Sequence, residues 1–207
     1  MSIFNRGSEW NKWDFHVHTP ASVLNNQFSS DWDTYVLTLF RKALEENICA
    51  IGITDYFSIE GYKKIKQEYL DNDQKLQQLF NDDEILKIKE ILLFPNIELR
   101  LKKFIGTSAI NFHIFFSDNI DISDIETNFL YELKFIYSED PSGSIETRAL
   151  TIENLTQFGQ RLQNEHERFR GDSSHLFTGM NNAKIDDIDI VQVLNSKKSI
   201  FNNRLLS

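Results

Sequence analysis

Two histidines separated by one residue, His16 and His18, are the first side chains whose type and spacing can do chemistry. They belong to residues 12–18 (KWDFHVH), which we predict to form a strand. Because side chains alternate across a strand, both imidazoles project from one face and can share metal ions. For an isolated pair, a packed core histidine beside a surface histidine is the more ordinary explanation. The hypothesis of a metal site therefore depends on what accompanies the pair.

Three further polar side chains accompany the pair on other predicted strands. Asp55 directly follows one continuous apolar segment, Glu98 lies at the end of a second, and His113 lies within a third. In a parallel α/β architecture the carboxyl ends of strands meet at one rim, where active sites are built. Imidazole and carboxylate ligands together suit Zn, Mn or Fe(II) better than calcium.

Each carboxylate also has an ordinary structural explanation. Asp55 can cap a helix or a turn before Ser58, and Glu98 can pair with Arg100 or Lys102. A charge deep in a parallel strand is costly unless it is paired or bound to a metal. A shared site explains these residues together better than separate roles do.

The alternation of apolar patterns predicts the elements that must position these side chains. We predict strands over 12–18, 48–54, 91–99, 112–116 and 188–194, and helices over 31–47, 58–80, 121–136, 151–169 and 199–206. A sixth strand is considered near His175. Strands that alternate with helices indicate parallel βαβ units, and the pattern alone does not distinguish an open sheet from a closed barrel. Residues 137–148, with Pro141 and Gly143, are predicted to form an exposed loop.

Length and composition restrict the class of protein. A chain of 207 residues suits one domain, and 41% hydrophobic with 26% charged residues is ordinary for a globular protein. Cys49 is the single cysteine, which excludes an intrachain disulfide and favours a reducing compartment. Neither a transmembrane segment nor a secretory signal is expected, so we predict a cytoplasmic protein without membrane partners.

The net charge of -9 argues against a protein that binds nucleic acid through a broad basic surface. It does not exclude a nuclease, because divalent metals can make one cleft locally positive.

Four short segments carry a resemblance to a known family: 10–22 (WNKWDFHVHTPAS), 50–56 (AIGITDY), 95–99 (PNIEL) and 111–113 (NFH). In this order they resemble successive motifs of the PHP (polymerase and histidinol phosphatase) superfamily. More narrowly, they resemble the PHP domain of TrlF-like proteins, in which it is fused to an AAA-type ATPase. The resemblance covers residues 9–117 well and 187–205 loosely.

The resemblance implies a distorted (β/α)7 barrel with two or three divalent ions, Zn, Mn or Fe, at its carboxyl rim. The matching metal-ligand positions are His16, His18, Asp55, Glu98 and His113. Glu98 would bridge two ions, and Asp55 would orient water or bind metal, which makes these two the candidate catalytic residues. The family's activity is hydrolysis of phosphomonoesters or phosphodiesters by metal-activated water.

Other polar residues are weaker candidates. His175 is a further possible ligand, whereas His166 on a charged helix is expected to be solvated. Lys12, Arg100 and Lys102 are the nearest candidates for binding the substrate's phosphate.

Two departures from the family pattern concern whether the metal site and the barrel are complete in this chain. Tyr56 occupies the position of the usual histidine after the aspartate of the second motif, and the late Asp-x-His segment expected after residues 188–194 is absent. The barrel is thus expected to be incomplete in this chain. Residues 1–207 are either a single reduced PHP-like domain or the N-terminal part of a longer protein.

Our favoured interpretation is a metal-dependent phosphoesterase, a nuclease acting on nucleic acid or another phosphorylated substrate. The alternative is a degenerate, non-catalytic PHP module that binds or regulates an AAA-type ATPase or a nucleic-acid complex, in cis or in trans. A metal-dependent amidohydrolase ranks third, because the lysine or histidines it needs on later strands are not evident. The chain lacks a Gly-x-x-x-x-Gly-Lys-Ser/Thr phosphate loop, so any ATPase must lie elsewhere. An antiphage role follows only from family context.

Overall fold

The computed structural model describes residues 10–25 and 27–202, and the backbone of residues 205–206. Its seven strands are β1 (Lys12–His18), β2 (Ile48–Tyr56), β3 (Leu92–Ile105), β4 (Ser108–Phe116), β5 (Lys134–Glu139), β6 (Ile145–Ala149) and β7 (Leu205–Leu206). Five of them form one sheet in the order β1-β2-β3-β4-β7, and β5 and β6 form a separate hairpin. The protein is of mixed α/β class, and its main sheet curls into half a barrel.

The helices are α1 (Trp32–Glu46), α2 (Glu60–Lys64), α3 (Asp73–Leu79), α4 (Asp82–Ile88), α5 (Ile122–Asn128), α6 (Ile152–Glu165), α7 (His175–Asn182), α8 (Asp187–Ser196) and α9 (Lys198–Phe201). A π-helical turn occupies Ile65–Leu70, and 3-10 turns occupy Leu130–Glu132 and Glu167–Phe169. Across the described part of the chain, each helix is too short or too polar to traverse a bilayer.

The first three strands confirm the predicted parallel βαβ units. β1, β2 and β3 are parallel, with α1 between the first two and α2 to α4 between the second two. The expectation of a parallel sheet fails at β4, which is antiparallel to β3. Only two residues separate these strands, and Gly106, at φ 61°, makes the tight turn of a hairpin. A parallel partner would have needed a crossover helix.

Strand β1 carries a bulge at its centre. Its register with β2 shifts between Asp14 and Val17, so that two residues of β1, Phe15 and His16, lie opposite one residue of β2, Gly52. The backbone of Phe15 approaches β2 so closely that a Cβ at Gly52 would lie 2.5 Å from the Phe15 carbonyl oxygen. Glycine at position 52 therefore permits the bulge.

The helices cover one face of the main sheet, which we call the outer face. There Ile51 and Ile53 of β2 pack with Phe40 of α1, and a second cluster unites Ile97 and Phe116 with the later helices. Side-chain alternation sends the intervening residues to the opposite face, which we call the inner face. It carries Thr54, Tyr56, Asn96, Glu98, Asn111 and His113.

Several predicted elements are confirmed and others are wrong. Helix 31–47 is confirmed as α1, whose N-cap Asp31 accepts hydrogen bonds from the backbone of Asp33 and Thr34. The single helix predicted over 58–80 is broken at Asn72, which caps α3 instead. The helix predicted over 121–136 ends at Asn128, because the chain then turns into β5.

The C-terminal predictions need more correction. Residues 188–194 are not a strand but the body of α8, which Asp186 caps by accepting a hydrogen bond from the Ile188 backbone. Among the described residues no strand lies near His175, which begins α7 behind the cap Ser174. The predicted loop 137–148 belongs largely to the β5–β6 hairpin, whose turn is closed by Asp140.

The helices at 151–169 and 199–206 are only partly as predicted. The first is regular to Glu165 and ends in a 3-10 turn. The second ends at Phe201, beyond which residues 203, 204 and 207 lie outside the described residues.

Candidate metal centre

Three donor atoms from two strands converge on the inner face. The Nε2 atoms of His16 and His18 are 3.1 Å apart, and Glu98 Oε2 lies 3.4 Å from the first and 3.5 Å from the second. These residues form a group that could hold a metal ion. In a tetrahedral zinc site with bonds of about 2.0–2.1 Å, neighbouring donors lie about 3.3–3.4 Å apart. The three separations therefore fit three ligands of a single ion.

Glu98 supplies the strongest sign that a cation belongs here. Its side chain is 1% exposed, and Asn111 donates a hydrogen bond of 2.6 Å to Oε1. The other oxygen, Oε2, is buried and has no hydrogen-bond partner among the described residues. A buried carboxylate oxygen without a partner is costly, and a bound cation would remove that cost.

The contacts of His18 fix which of its nitrogens can bind metal. Nδ1 lies 3.1 Å from the carbonyl oxygen of Thr54 and 3.1 Å from the hydroxyl of Ser22. Because a carbonyl only accepts, Nδ1 carries the hydrogen and Nε2 keeps its lone pair. The ring stacks on Tyr56 at 5.3 Å, with planes 12° apart. Burial lowers the pKa of His18, although the charge of Glu98 acts in the opposite direction. The lowered pKa favours the neutral form of the imidazole, which is the form that binds metal.

His113 is oriented in the same way by Asn96. The Asn96 amide nitrogen donates to Phe15 O at 2.9 Å and to Thr54 Oγ1 at 2.7 Å. His113 Nδ1 faces the same amide group, 3.1 Å from its nitrogen and 3.3 Å from its oxygen. His113 Nε2 points away from Asn96 and lies 4.0 Å from Glu98 Oε1.

His113 stands beside the three-residue group rather than in it. It pairs directly with Glu98 across the β3–β4 ladder, and its ring is 4.5 Å from that of His16. Burial also lowers the pKa of His113, although the charge of Glu98 acts in the opposite direction. The imidazole is therefore kept neutral within reach of the centre.

Asp55 lies apart from these donors, on the outer face. Its oxygens accept hydrogen bonds from Thr19 Oγ1 at 2.8 Å and from the Gly61 backbone at 2.6 Å. It is 1% exposed, and burial raises the pKa of its carboxyl group to about 6. In this structure Asp55 ties β2 to the end of β1 and the start of α2.

The predicted phosphate-binding residues are divided between the two ends of the sheet. Lys12 forms an exposed ion pair with Glu46 at 3.1 Å, at the end of β1 remote from His18. Arg100 lies near the centre, with its guanidinium 5.7 Å above the Tyr56 ring. Asn181 anchors it through hydrogen bonds of 3.0 Å to its carbonyl and 2.6 Å to its side-chain oxygen.

The weaker histidine candidates lie elsewhere. His175 is exposed at the start of α7, and His166 is exposed beside Phe169, with ring centroids 6.0 Å apart. Neither belongs to the group that could hold a metal ion.

Sequence reasoning missed the residues that support the ligands: Thr54, Asn96, Asn111 and Ser22. The available signal was Asn96, an amide within the apolar segment 91–99. A buried amide needs partners, and that requirement marks it as part of a polar network.

Comparison with protein families and with curated proteins gives no function to transfer to this chain. No protein-family profile matches the chain, and no curated protein matches its sequence. Any functional conclusion therefore rests on the geometry of the site.

Proposed function

We propose that this chain is a metal-dependent phosphoesterase of the PHP type that hydrolyses phosphodiester bonds. The observation that carries the proposal is the convergence of His16 Nε2, His18 Nε2 and the unpartnered Glu98 Oε2. A divalent Zn, Mn or Fe ion held there would act as a Lewis acid towards a phosphoryl oxygen and would acidify water.

The protein's own residues prepare this chemistry. Thr54 and Asn96 contact the Nδ1 atoms of His18 and His113, which directs both Nε2 atoms towards the centre. Glu98 contributes the negative charge, and its Oε1, 4.0 Å from His113 Nε2, would serve a second ion. Arg100, on the same face as Glu98, would bind a phosphate oxygen of the substrate.

Membership of the PHP superfamily, with its (β/α)7 barrel, is part of this proposal. The order of ligands along the chain supports it, with a His-x-His pair on the first strand, a glutamate on the third and a histidine on the fourth. The curled half-barrel is consistent with an incomplete version of that barrel.

A non-catalytic metal-binding module is the second candidate, and Tyr56 is the observation that favours it. Burial and the charge of Glu98 raise the pKa of Tyr56 to about 12, so its hydroxyl stays protonated beside the centre. A protonated phenol is a poor replacement for the imidazole ligand expected there. Metal would then bind without turnover.

Metal analysis combined with an activity assay tests the proposal. Purified protein supplied with Mn or Zn should retain bound metal and hydrolyse bis(p-nitrophenyl) phosphate. The double variant His16→Ala, His18→Ala should lose both properties, whereas the exposed control His166→Ala should keep them. Retained metal without hydrolysis in the wild type would support the non-catalytic module, and absence of bound metal would contradict both candidates.

A further inference from the structure

A lysine-lined cleft, which we call the basic cleft, lies on the inner face further along β3 than Glu98. It has a volume of about 180 Å³, and Lys102, Lys134 and Lys184 are among its lining residues. These lysines meet because residue 185 extends the sheet beyond the end of β2. The Ile185 backbone donates to Arg100 O at 2.9 Å, and its carbonyl accepts from the Lys102 backbone at 2.8 Å.

The register of this extension determines the side of the sheet to which the lysine side chains project. Ile185 bridges both Leu101 and Phe135, and all three side chains are buried. Their neighbours along each strand, including the three lysines, therefore project to the opposite side.

The positive charge of the cleft is only partly balanced. Within the described residues, none of the three lysines forms an ion pair, and Arg100 contacts no carboxylate. Asp186 and Asp189 also line the cleft, so that three lysines there face two aspartates. Burial and the charge of Arg100 lower the pKa of Lys184.

An aromatic platform lies on the other side of the centre. The Phe15 ring is 5.2 Å from Phe115, 5.9 Å from Phe94 and 5.3 Å from Trp13. Phe94 lies two residues from Asn96 on β3, and Phe115 lies two residues from His113 on β4, so both rings belong to the inner face, where Phe15 contacts them. Trp13 is 62% exposed, which makes its ring available for stacking.

We propose that the inner face binds single-stranded nucleic acid, with bases stacked on the aromatic platform and backbone phosphates in the basic cleft. This inference rests on the proposed function, because it places the scissile phosphodiester between the two surfaces, at His16, His18 and Glu98. Stacking platforms beside basic grooves bind single strands with little sequence preference. A duplex would not fit this arrangement, since its bases already stack on one another.

The test is fluorescence anisotropy with a labelled oligothymidylate of about 12 nucleotides, a length typical of such sites. Measurements are made in EDTA, so that binding is separated from hydrolysis. The double variant Lys102→Gln, Lys184→Gln should weaken binding about 10-fold. It should also reduce the slope of log Kd against log salt by about 1.4, or about 0.7 for each phosphate that a lysine no longer neutralises. Trp13→Ala should weaken binding about 10-fold, and Trp13→Phe should restore most of it.

Lys87→Gln is the matched control, because Lys87 is exposed on α4, which packs against α1 and α3 rather than beside the cleft. It should change neither the affinity nor the salt slope. Equal binding by the lysine double variant and this control would overturn the inference, as would absence of single-strand binding or equally tight binding of a duplex. Because no metal is present, these outcomes are independent of whether the protein hydrolyses phosphodiesters.

Discussion

Asn96 orients the His113 ring, because its amide group contacts ring atom Nδ1, which lies 3.1 Å from the amide nitrogen and 3.3 Å from the amide oxygen. The amide nitrogen of Asn96 also donates to the carbonyl of Phe15 and to the hydroxyl of Thr54. One side chain thus connects β1, β2 and β4 to its own strand and aims an imidazole nitrogen at the candidate centre.

We predict that Asn96→Ala weakens metal binding about 10-fold to 100-fold, the usual effect of removing a residue that orients a metal ligand. Competition with a fluorescent chelator measures the affinity. Asn154→Ala, which also removes an amide that bonds a backbone carbonyl but lies on α6, is the control. An unchanged affinity in Asn96→Ala would show that His113 does not contribute to the centre.

We expect Glu98 to lower the free energy of unfolding of the metal-free protein. Replacing it by glutamine removes a buried charge whose Oε2 has no partner among the described residues. We expect Glu98→Gln to raise the free energy of unfolding of the metal-free protein by about 1–3 kcal/mol. Added Zn should stabilise the wild type and have no effect on the variant. Urea unfolding with and without Zn gives both values, and a less stable metal-free variant would argue for a purely structural ion pair.

Asp55 determines the sign of one contribution to the pH dependence of the protein's stability. Its pKa is about 6 in the folded protein, against an ordinary value of 3.8, so the folded state binds the proton more tightly. Asp55 therefore stabilises the fold fully below about pH 4 and loses this contribution, up to about 3 kcal/mol, as pH rises through 6.

Urea unfolding of the wild type and of Asp55→Asn across pH 4–7 measures this effect. The difference between the two isolates Asp55 from the histidines, whose lowered pKa values act in the opposite direction. A constant difference in stability over this range would contradict the assignment.

The candidate ligands His16, His18 and Glu98 were predictable because each has a chemistry that its local sequence does not need. A His-x-His on a strand and a glutamate closing an apolar segment point to one face and one metal site. Asn96 was not predictable in its role, since its contacts with Phe15, Thr54 and His113 come from three other strands. Asp55 resembles a ligand in sequence, but alternation along β2 puts it on the outer face.

Fold prediction failed where short apolar runs have no decisive period. Residues 188–194 are rich in β-branched side chains, yet the cap at Asp186 and the burial of Ile190 in the core favour helix α8. The direction of β4 depended on a two-residue turn at Gly106, which the strand pattern does not encode.

Gly52→Ala should disrupt the centre without touching a ligand. The added Cβ would lie 2.5 Å from the Phe15 carbonyl oxygen and force β1 away from β2. We expect a decrease of about 1–3 kcal/mol in the free energy of unfolding, together with weaker metal binding. Gly171→Ala, where nothing lies within 4 Å of the added atom, is the control in the same unfolding and metal-binding assays. Equal behaviour of the two variants would mean that β1 tolerates the displacement.

The most direct test of the metal centre is anomalous X-ray scattering at the zinc edge from crystals grown with Zn. We predict an anomalous peak about 2.0–2.1 Å from His16 Nε2, His18 Nε2 and Glu98 Oε2. A peak bound by other residues, or no peak on the inner face at saturating Zn, would contradict the assignment of these three ligands.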